Sequence, residues 1–258
     1  MTRTTRTLAI ANQKGGVGKT TTALNLAAGL VQMDRRVLLV DIDPQANCTT
    51  GVGVEVAEGQ PTTAEVLIGE ATVDEARVRP ASVALDLLPA TGDLTAAEVE
   101  LMHRDDRAGA LKQGLAPVRG RYDDIIIDCP PALNVLTLNA LTAADRVMIP
   151  MQCEYYALEG LTALMDTIEQ IQASVNPALE IEGLVRTMYD IRNNLSGAVS
   201  RQLSEHFGDK VYNTIVPRNV RVAESPSYGE SVLSYDPESR GALAYRGLAG
   251  EYIRRMRA

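Results

Sequence analysis

This sequence predicts an α/β fold: a doubly wound, mostly parallel sheet with helices on both faces. Three observations carry the prediction. Short continuous apolar runs recur along the 258 residues, as expected of strands covered on both sides. Segments of helical periodicity separate those runs through to the end of the chain. The junction between the first apolar run and the first periodic segment is rich in glycine and lysine.

That junction is Asn12-Gln13-Lys14-Gly15-Gly16-Val17-Gly18-Lys19-Thr20-Thr21-Thr22. Thr7–Ala11 before it reads as a buried strand, and Ala23, Leu26, Ala27, Leu30 and Val31 after it recur at helical spacing. Strand, glycine turn and helix in this order are the setting of a phosphate-binding loop. Glycines let the backbone curl until several N–H groups face one anion, and the helix N-terminus adds its positive dipole end. Gly15, Gly16, Val17, Gly18, Lys19, Thr20 and Thr21 are the expected nucleotide-binding residues. Lys19 is placed to reach the β- and γ-phosphates, and the Thr20 hydroxyl to ligate Mg2+. The first glycine of G-x-x-x-x-G-K-[ST] falls on Gln13, and an additional lysine, Lys14, opens the loop instead.

The second strand is Arg36–Asp43, which ends in two aspartates before Pro44. Acids there lie at the carboxyl end of a strand, where open α/β sheets bind ligands. Asp41 shares a strand face with Asp43 and reads equally as a supporting residue or a turn acid. Gln45–Gly51 predicts a short helical turn. Residues 52–83 show little order beyond a short helix begun by Pro61-Thr62-Thr63 and running through Leu67. A strand at Leu85–Pro89 and helices over Thr95–His103 and Ala108–Ala116 follow. Asp124–Asp128 is the central strand, and its terminal Asp128 suits a metal acid that holds Mg2+ through a water. Further on, the pattern predicts helix Leu133–Ala143, strand Arg146–Met151 and helix Leu158–Ile171. It then predicts strand Ile181–Met188, helix Leu195–Phe207, strand Val211–Val216 and a last helix over Ser239–Met256. One domain over 1–258 is expected, without linker or repeat.

Composition narrows the class. With one Phe and no Trp, the core is built from Leu, Val, Ile and Ala. Cys48, Cys129 and Cys153 are widely spaced with no nearby His cluster, which argues against a disulfide scaffold or zinc site and suits a reducing cytoplasm. No apolar run approaches the roughly 20 residues that span a bilayer. The net charge is −8, but residues 1–185 carry 14 Lys/Arg against 25 Asp/Glu and residues 186–258 carry 11 against 8. A local basic patch is therefore compatible with DNA despite the overall charge.

Lys14–Thr20 resembles the deviant Walker A motif of the ParA/MinD group of P-loop ATPases. The stretches Val37–Gln45, Ile125–Pro131, Pro150–Gly160, Val216–Glu224 and Ser225–Gly241 extend the likeness, in order, to chromosomal ParA proteins of the Soj type. The resemblance implies ATP and Mg2+ as cofactors and an ATP-sandwich homodimer in which Lys14 reaches the partner's phosphates. It further implies binding to non-specific double-stranded DNA, and a ParB-type centromere-binding partner that stimulates hydrolysis. Lys14, Lys19 and Asp43 are the implied catalytic residues, with Asp43 orienting the attacking water, and Thr20 and Asp128 the metal residues. The family pattern puts Pro217 and Asn219 beside the adenine and assigns Arg192 and Arg221 to DNA. Only six residues precede the first strand, so no N-terminal DNA-binding extension of the plasmid ParA kind is expected.

Two rival readings remain open at this level. A MinD-like membrane-surface ATPase would use the C-terminal helix, where Leu248, Tyr252, Ile253 and Met256 neighbour Arg254, Arg255 and Arg257. Core packing through Tyr245, Leu248 and Tyr252 is the favoured alternative for that helix. A ParA-like cargo-positioning ATPase is the second rival.

Overall fold

The computed structural model describes residues 5–154 and 157–256. Its first half runs β1 (Arg6–Ile10), α1 (Lys19–Val31), β2 (Val37–Asp41), α2 (Asn47–Gly51), α3 (Thr63–Ile68), α4 (Val73–Ala76) and β3 (Asp86–Leu88). The middle adds α5 (Leu94–Met102), α6 (Ala110–Leu115), β4 (Asp124–Asp128), α7 (Val135–Ala143), β5 (Arg146–Gln152) and α8 (Ala157–Ser174). The last third holds β6 (Glu180–Tyr189), α9 (Asn194–Phe207), β7 (Val211–Pro217), α10 (Val220–Glu224), α11 (Val232–Tyr235) and α12 (Arg240–Arg255).

The strands form one seven-stranded sheet in the order β3-β2-β4-β1-β5-β6-β7, and each neighbouring pair is parallel. The chain therefore builds one half toward β3 and the other toward β7, leaving β1 near the middle with its carboxyl end facing a crevice. Side chains alternate across the sheet with period two. Ala9, Leu38, Val40, Ile125 and Ile127 enter the core under α3, α5, α7 and α8. Leu8, Ile10, Leu39 and Ile126 enter the opposite core under α1 and α12. Both faces are covered, as the continuous apolar runs predict.

Two short helices in residues 52–83 were not expected in full. α3 extends as anticipated from Thr62-Thr63, but α4 is additional. Each begins with a reciprocal capping box, Thr62 with Glu65 and Thr72 with Glu75. The S/T-x-x-E spacing that marks both helix starts is visible in the sequence. The five residues of α10 and the four of α11 are likewise started by Asn219 and Ser231 caps.

The last helix packs on the sheet. Ser239 caps α12 by accepting from the Ala242 N–H at 3.2 Å. Tyr245, Leu248 and Tyr252 point into the core and are essentially inaccessible. Tyr252 also donates its hydroxyl to Asp124 Oδ1 at 3.2 Å, and the Glu251 carboxylate accepts from the Asn213 and Thr214 N–H groups of β7, at 2.8 Å each. The apolar stripe is thus spent on the sheet, as the core-packing reading holds; Arg257 lies outside the described residues. No helix among the described residues is long and apolar enough to cross a membrane. Leu248→Ala should therefore lower unfolding free energy by about 2–5 kcal/mol, the usual loss for a buried leucine. Urea denaturation checks this, and a change below about 0.5 kcal/mol would mean that Leu248 is not a core residue.

Candidate functional site

The glycine-rich loop joins β1 to α1 at the carboxyl end of the sheet. Gly16 and Gly18 adopt φ values of 74° and 86°, the left-handed region open to glycine at little cost. Gly18 is the N-cap of α1 and supplies no side chain, so first-turn amides are left free for an anion. Neighbouring strand ends brace the loop. Asn12 donates to the Pro150 carbonyl at 2.8 Å and accepts from the Lys14 N–H at 3.0 Å. Gln152 donates to the Gly16 carbonyl at 3.2 Å, and Thr187 to the Val17 carbonyl at 2.7 Å. β5 and β6 thereby fix the loop that β1 and α1 carry.

The two lysines have different surroundings. Lys19 is 6% exposed and donates to the Lys14 carbonyl at 3.2 Å. Burial lowers its pKa, while the charges of Asp128, Cys129 and Asp43 pull the other way. Lys14 stands at the rim, its ammonium 2.6 Å from the Glu154 carboxylate, both side chains exposed. Sequence reasoning did not single out Glu154; a contact spanning that separation leaves no local signature. Tyr155 and Tyr156, within the Pro150–Gly160 stretch, lie outside the described residues.

Three aspartates converge on the loop. Parallel pairing sets Asp41 directly across from Asp128, with Ile10, just before the loop, on the other side of Asp128. Asp41 is a brace: it accepts from the Thr49 N–H at 2.8 Å, the Thr49 hydroxyl at 2.7 Å and the Asp43 N–H at 3.1 Å. Burial, and more weakly the charge of Asp43, raise its pKa to about 6 against the pull of those hydrogen bonds. Asp43 is nearly buried, and one of its oxygens accepts from the Gln45 N–H at 3.0 Å.

Asp128 is fully buried, and neither oxygen has a well-formed hydrogen bond among the described residues. Its pKa is pushed well up, first by burial and then by Asp41, with the Thr20 hydroxyl and Lys19 opposing. An orphaned carboxylate beside a threonine hydroxyl and a phosphate loop fits Mg2+, which takes one or two protein oxygens and completes its shell with phosphates and water. The described residues contain no cluster of three or more potential metal ligands, and such a site needs none.

A cleft of about 360 Å³ adjoins the loop, lined by Gly18, Thr21, Met188, Pro217, Asn219 and Tyr245 among others. Pro217 and Asn219, which the resemblance expects beside the adenine, both line this cleft. Asn219 also caps α10, accepting from the Val222 N–H at 3.2 Å. Met188 was not anticipated: it has φ 47°, and its sulfur accepts from Gln152 Nε2 at 2.7 Å. Arg192 and Arg221, by contrast, are engaged within the chain. Arg192 pairs with Asp190 at 2.7 Å, and Arg221 with Glu224 at 3.0 Å and Asp236 at 3.3 Å.

Comparison with known proteins places this arrangement. A family model described as an AAA domain matches residues 5–181. The chain is 54% identical over 254 residues to the chromosome partitioning protein ParA of Caulobacter vibrioides, spanning 98% of this chain and 95% of that protein. It is 50% identical over 244 residues to the sporulation initiation inhibitor protein Soj of Bacillus subtilis, with 95% and 96% covered. A crystal structure from Mycobacterium smegmatis, named as cobyrinic acid a,c-diamide synthase with bound ADP and magnesium, superposes with a TM-score of 0.87. That chain is 40% identical, with 98% of this chain and 96% of that one covered. Since the family model spans well over half of the chain and the ParA and Soj sequences align with nearly all of it, the protein belongs to the AAA-domain family as a ParA/Soj-type ATPase.

Proposed function

We propose that this protein is a DNA-partitioning ATPase. In this reading an ATP-closed homodimer binds duplex DNA without sequence preference, and a ParB-type partner stimulates hydrolysis and releases it. The observation that carries the reading is the pair of lysines in one phosphate loop. Lys19 is enclosed by the loop and serves the phosphates bound there. Lys14 is exposed at the rim, held only by a surface ion pair, and is free to serve phosphates bound by a second copy.

Within each site the loop amides and Lys19 hold the phosphate chain, and Pro217, Asn219 and Met188 receive the base. Thr20 and Asp128 would hold Mg2+, which would supply positive charge to the phosphate chain. Asp43 orients the attacking water, with its backbone fixed by Asp41. Turnover in this reading is slow until a stimulator binds.

The name of the Mycobacterium structure raises amide synthesis as another activity. Releasing ammonia from glutamine calls for a thiolate nucleophile. Here Cys48, Cys129 and Cys153 are all buried. Burial raises each thiol pKa, that of Cys153 to about 11. The residues favour phosphoanhydride hydrolysis.

Three variants test the proposal. Asp43→Ala should lower ATP turnover by about 100-fold or more, in the range typical of losing a proton-handling group. Light scattering should still find it dimeric with ATP; undiminished turnover would remove Asp43 from the mechanism. Lys14→Ala should stay at monomer mass with ATP, whereas an ATP dimer like that of the native protein would defeat the sandwich reading. Glu154→Gln frees Lys14 and should tighten the ATP dimer, by up to about fivefold for each surface pair no longer broken. A weaker dimer would show instead that Glu154 supports the closed form.

A further inference from the structure

Next to the base cleft, on the β6–β7 edge of the sheet, runs a wider groove of about 950 Å³. Its charged lining consists of Asp190 and Arg192 from the turn after β6, Arg218 from the end of β7, and Arg240 at the start of α12. Three arginines thus face one aspartate. Arg192 closes on Asp190 at 2.7 Å. The Asp190 carboxyl is lowered to about 2, chiefly by Arg192 and further by the charge of Arg218. Neither Arg218 nor Arg240 forms a side-chain ion pair among the described residues. Arg192 and Arg221, which the family resemblance assigns to DNA, each hold a surface ion pair, Arg221 shared between Glu224 and Asp236.

We propose that Arg218 and Arg240 make the leading phosphate contacts with duplex DNA, and that this groove receives the sugar–phosphate ridge of one strand. The proposal rests on the DNA-partitioning reading above and deepens it. An unpaired guanidinium can offer its planar fork to a phosphate without first giving up an acid of its own chain. Contacts of this kind position a duplex without reading its bases, as sequence-independent binding requires.

The shape also favours DNA over a lipid surface. Ile191, Val220 and Leu243 are 81%, 69% and 53% exposed. They come from three separate elements and line the walls of a hollow. A bilayer takes up a continuous protruding apolar face, as an amphipathic helix provides. A hollow with basic groups and apolar walls instead fits a ridge of phosphates and deoxyribose carbons.

The same geometry links DNA to nucleotide. Pro217, Arg218, Asn219 and Val220 line both this groove and the base cleft. A base seated against Pro217 and Asn219 sets the segment that presents Arg218, so the phosphate contact follows the occupancy of the cleft.

The test is duplex binding at saturating ATP, measured across a salt series, for the native protein and for Arg218→Gln, Arg240→Gln and the double variant. Arg79→Gln is the control, because Arg79 lies by the opposite, β3 edge and pairs with Asp86. Arg240→Gln carries the decisive weight, since Arg240 lines the groove and not the base cleft. Each arginine replacement should weaken binding by about fivefold or more near 100 mM salt and reduce the log–log salt slope by about 1. Arg79→Gln should change neither. If Arg218→Gln and Arg240→Gln keep native affinity and slope while Arg192→Gln loses both, the groove assignment is overturned and DNA binding stands. If the native ATP form ignores DNA at low salt, both fail. Retention on anionic phosphatidylglycerol vesicles that depends on the same arginines would then reassign the groove to membranes.

Discussion

Asp128 sets the main constraint on this molecule. Its carboxylate is carried to the end of β4, removed from water and left without a well-formed hydrogen bond. Burying a charge in this way is unfavourable unless a cation compensates, which is why its pKa is driven up. Lys19, also buried, relieves part of that cost, while burial lowers its own pKa against the pull of Asp128. Asp128 lies in register between Asp41 of β2 and Ile10 of β1, and these strands are packed under helices on both faces. A site destabilised when empty is one that binds a metal–phosphate ligand well.

Around this pair the polar side chains act mainly as braces. Asp41 holds α2 through Thr49 and fixes the backbone of Asp43. Gln152 touches both the Gly16 carbonyl and the Met188 sulfur, and Thr187 holds Val17. The phosphate loop is thereby tied to β5 and β6, and through the turn after β6 to the basic edge of the sheet. This is a continuous physical route from nucleotide to the surface proposed for DNA, carried by hydrogen bonds between packed strands.

Much of this was legible in the sequence, for identifiable reasons. Strands covered on both faces appear as unbroken apolar runs, and a phosphate loop concentrates its chemistry in a few consecutive residues. The packing stripe Tyr245, Leu248 and Tyr252 follows from helical spacing, and all three are buried. What escaped is of two kinds. The capping boxes at Thr62–Glu65 and Thr72–Glu75 are local and readable, yet residues 52–83 lack the periodicity that draws attention to a helix. Glu154 beside Lys14, Met188 in the cleft beside the loop and the grouping of Arg218 with Arg240 depend on chain segments far apart in sequence. Only the sheet order brings them together. The pairing of Arg192 with Asp190 is also local, but no pattern in a single sequence says whether two adjacent opposite charges meet.

The central claim is that ATP, rather than ADP, converts this chain into a DNA-binding dimer. Its most direct measurement is retention on duplex DNA of arbitrary sequence with ATP, ADP or no nucleotide, for the native protein and for Asp43→Ala. The account predicts retention with ATP alone, longer-lived in Asp43→Ala and lost as salt rises. An Asp43→Ala protein that is dimeric with ATP yet passes unretained over DNA at low salt would contradict it, as would equal retention without nucleotide.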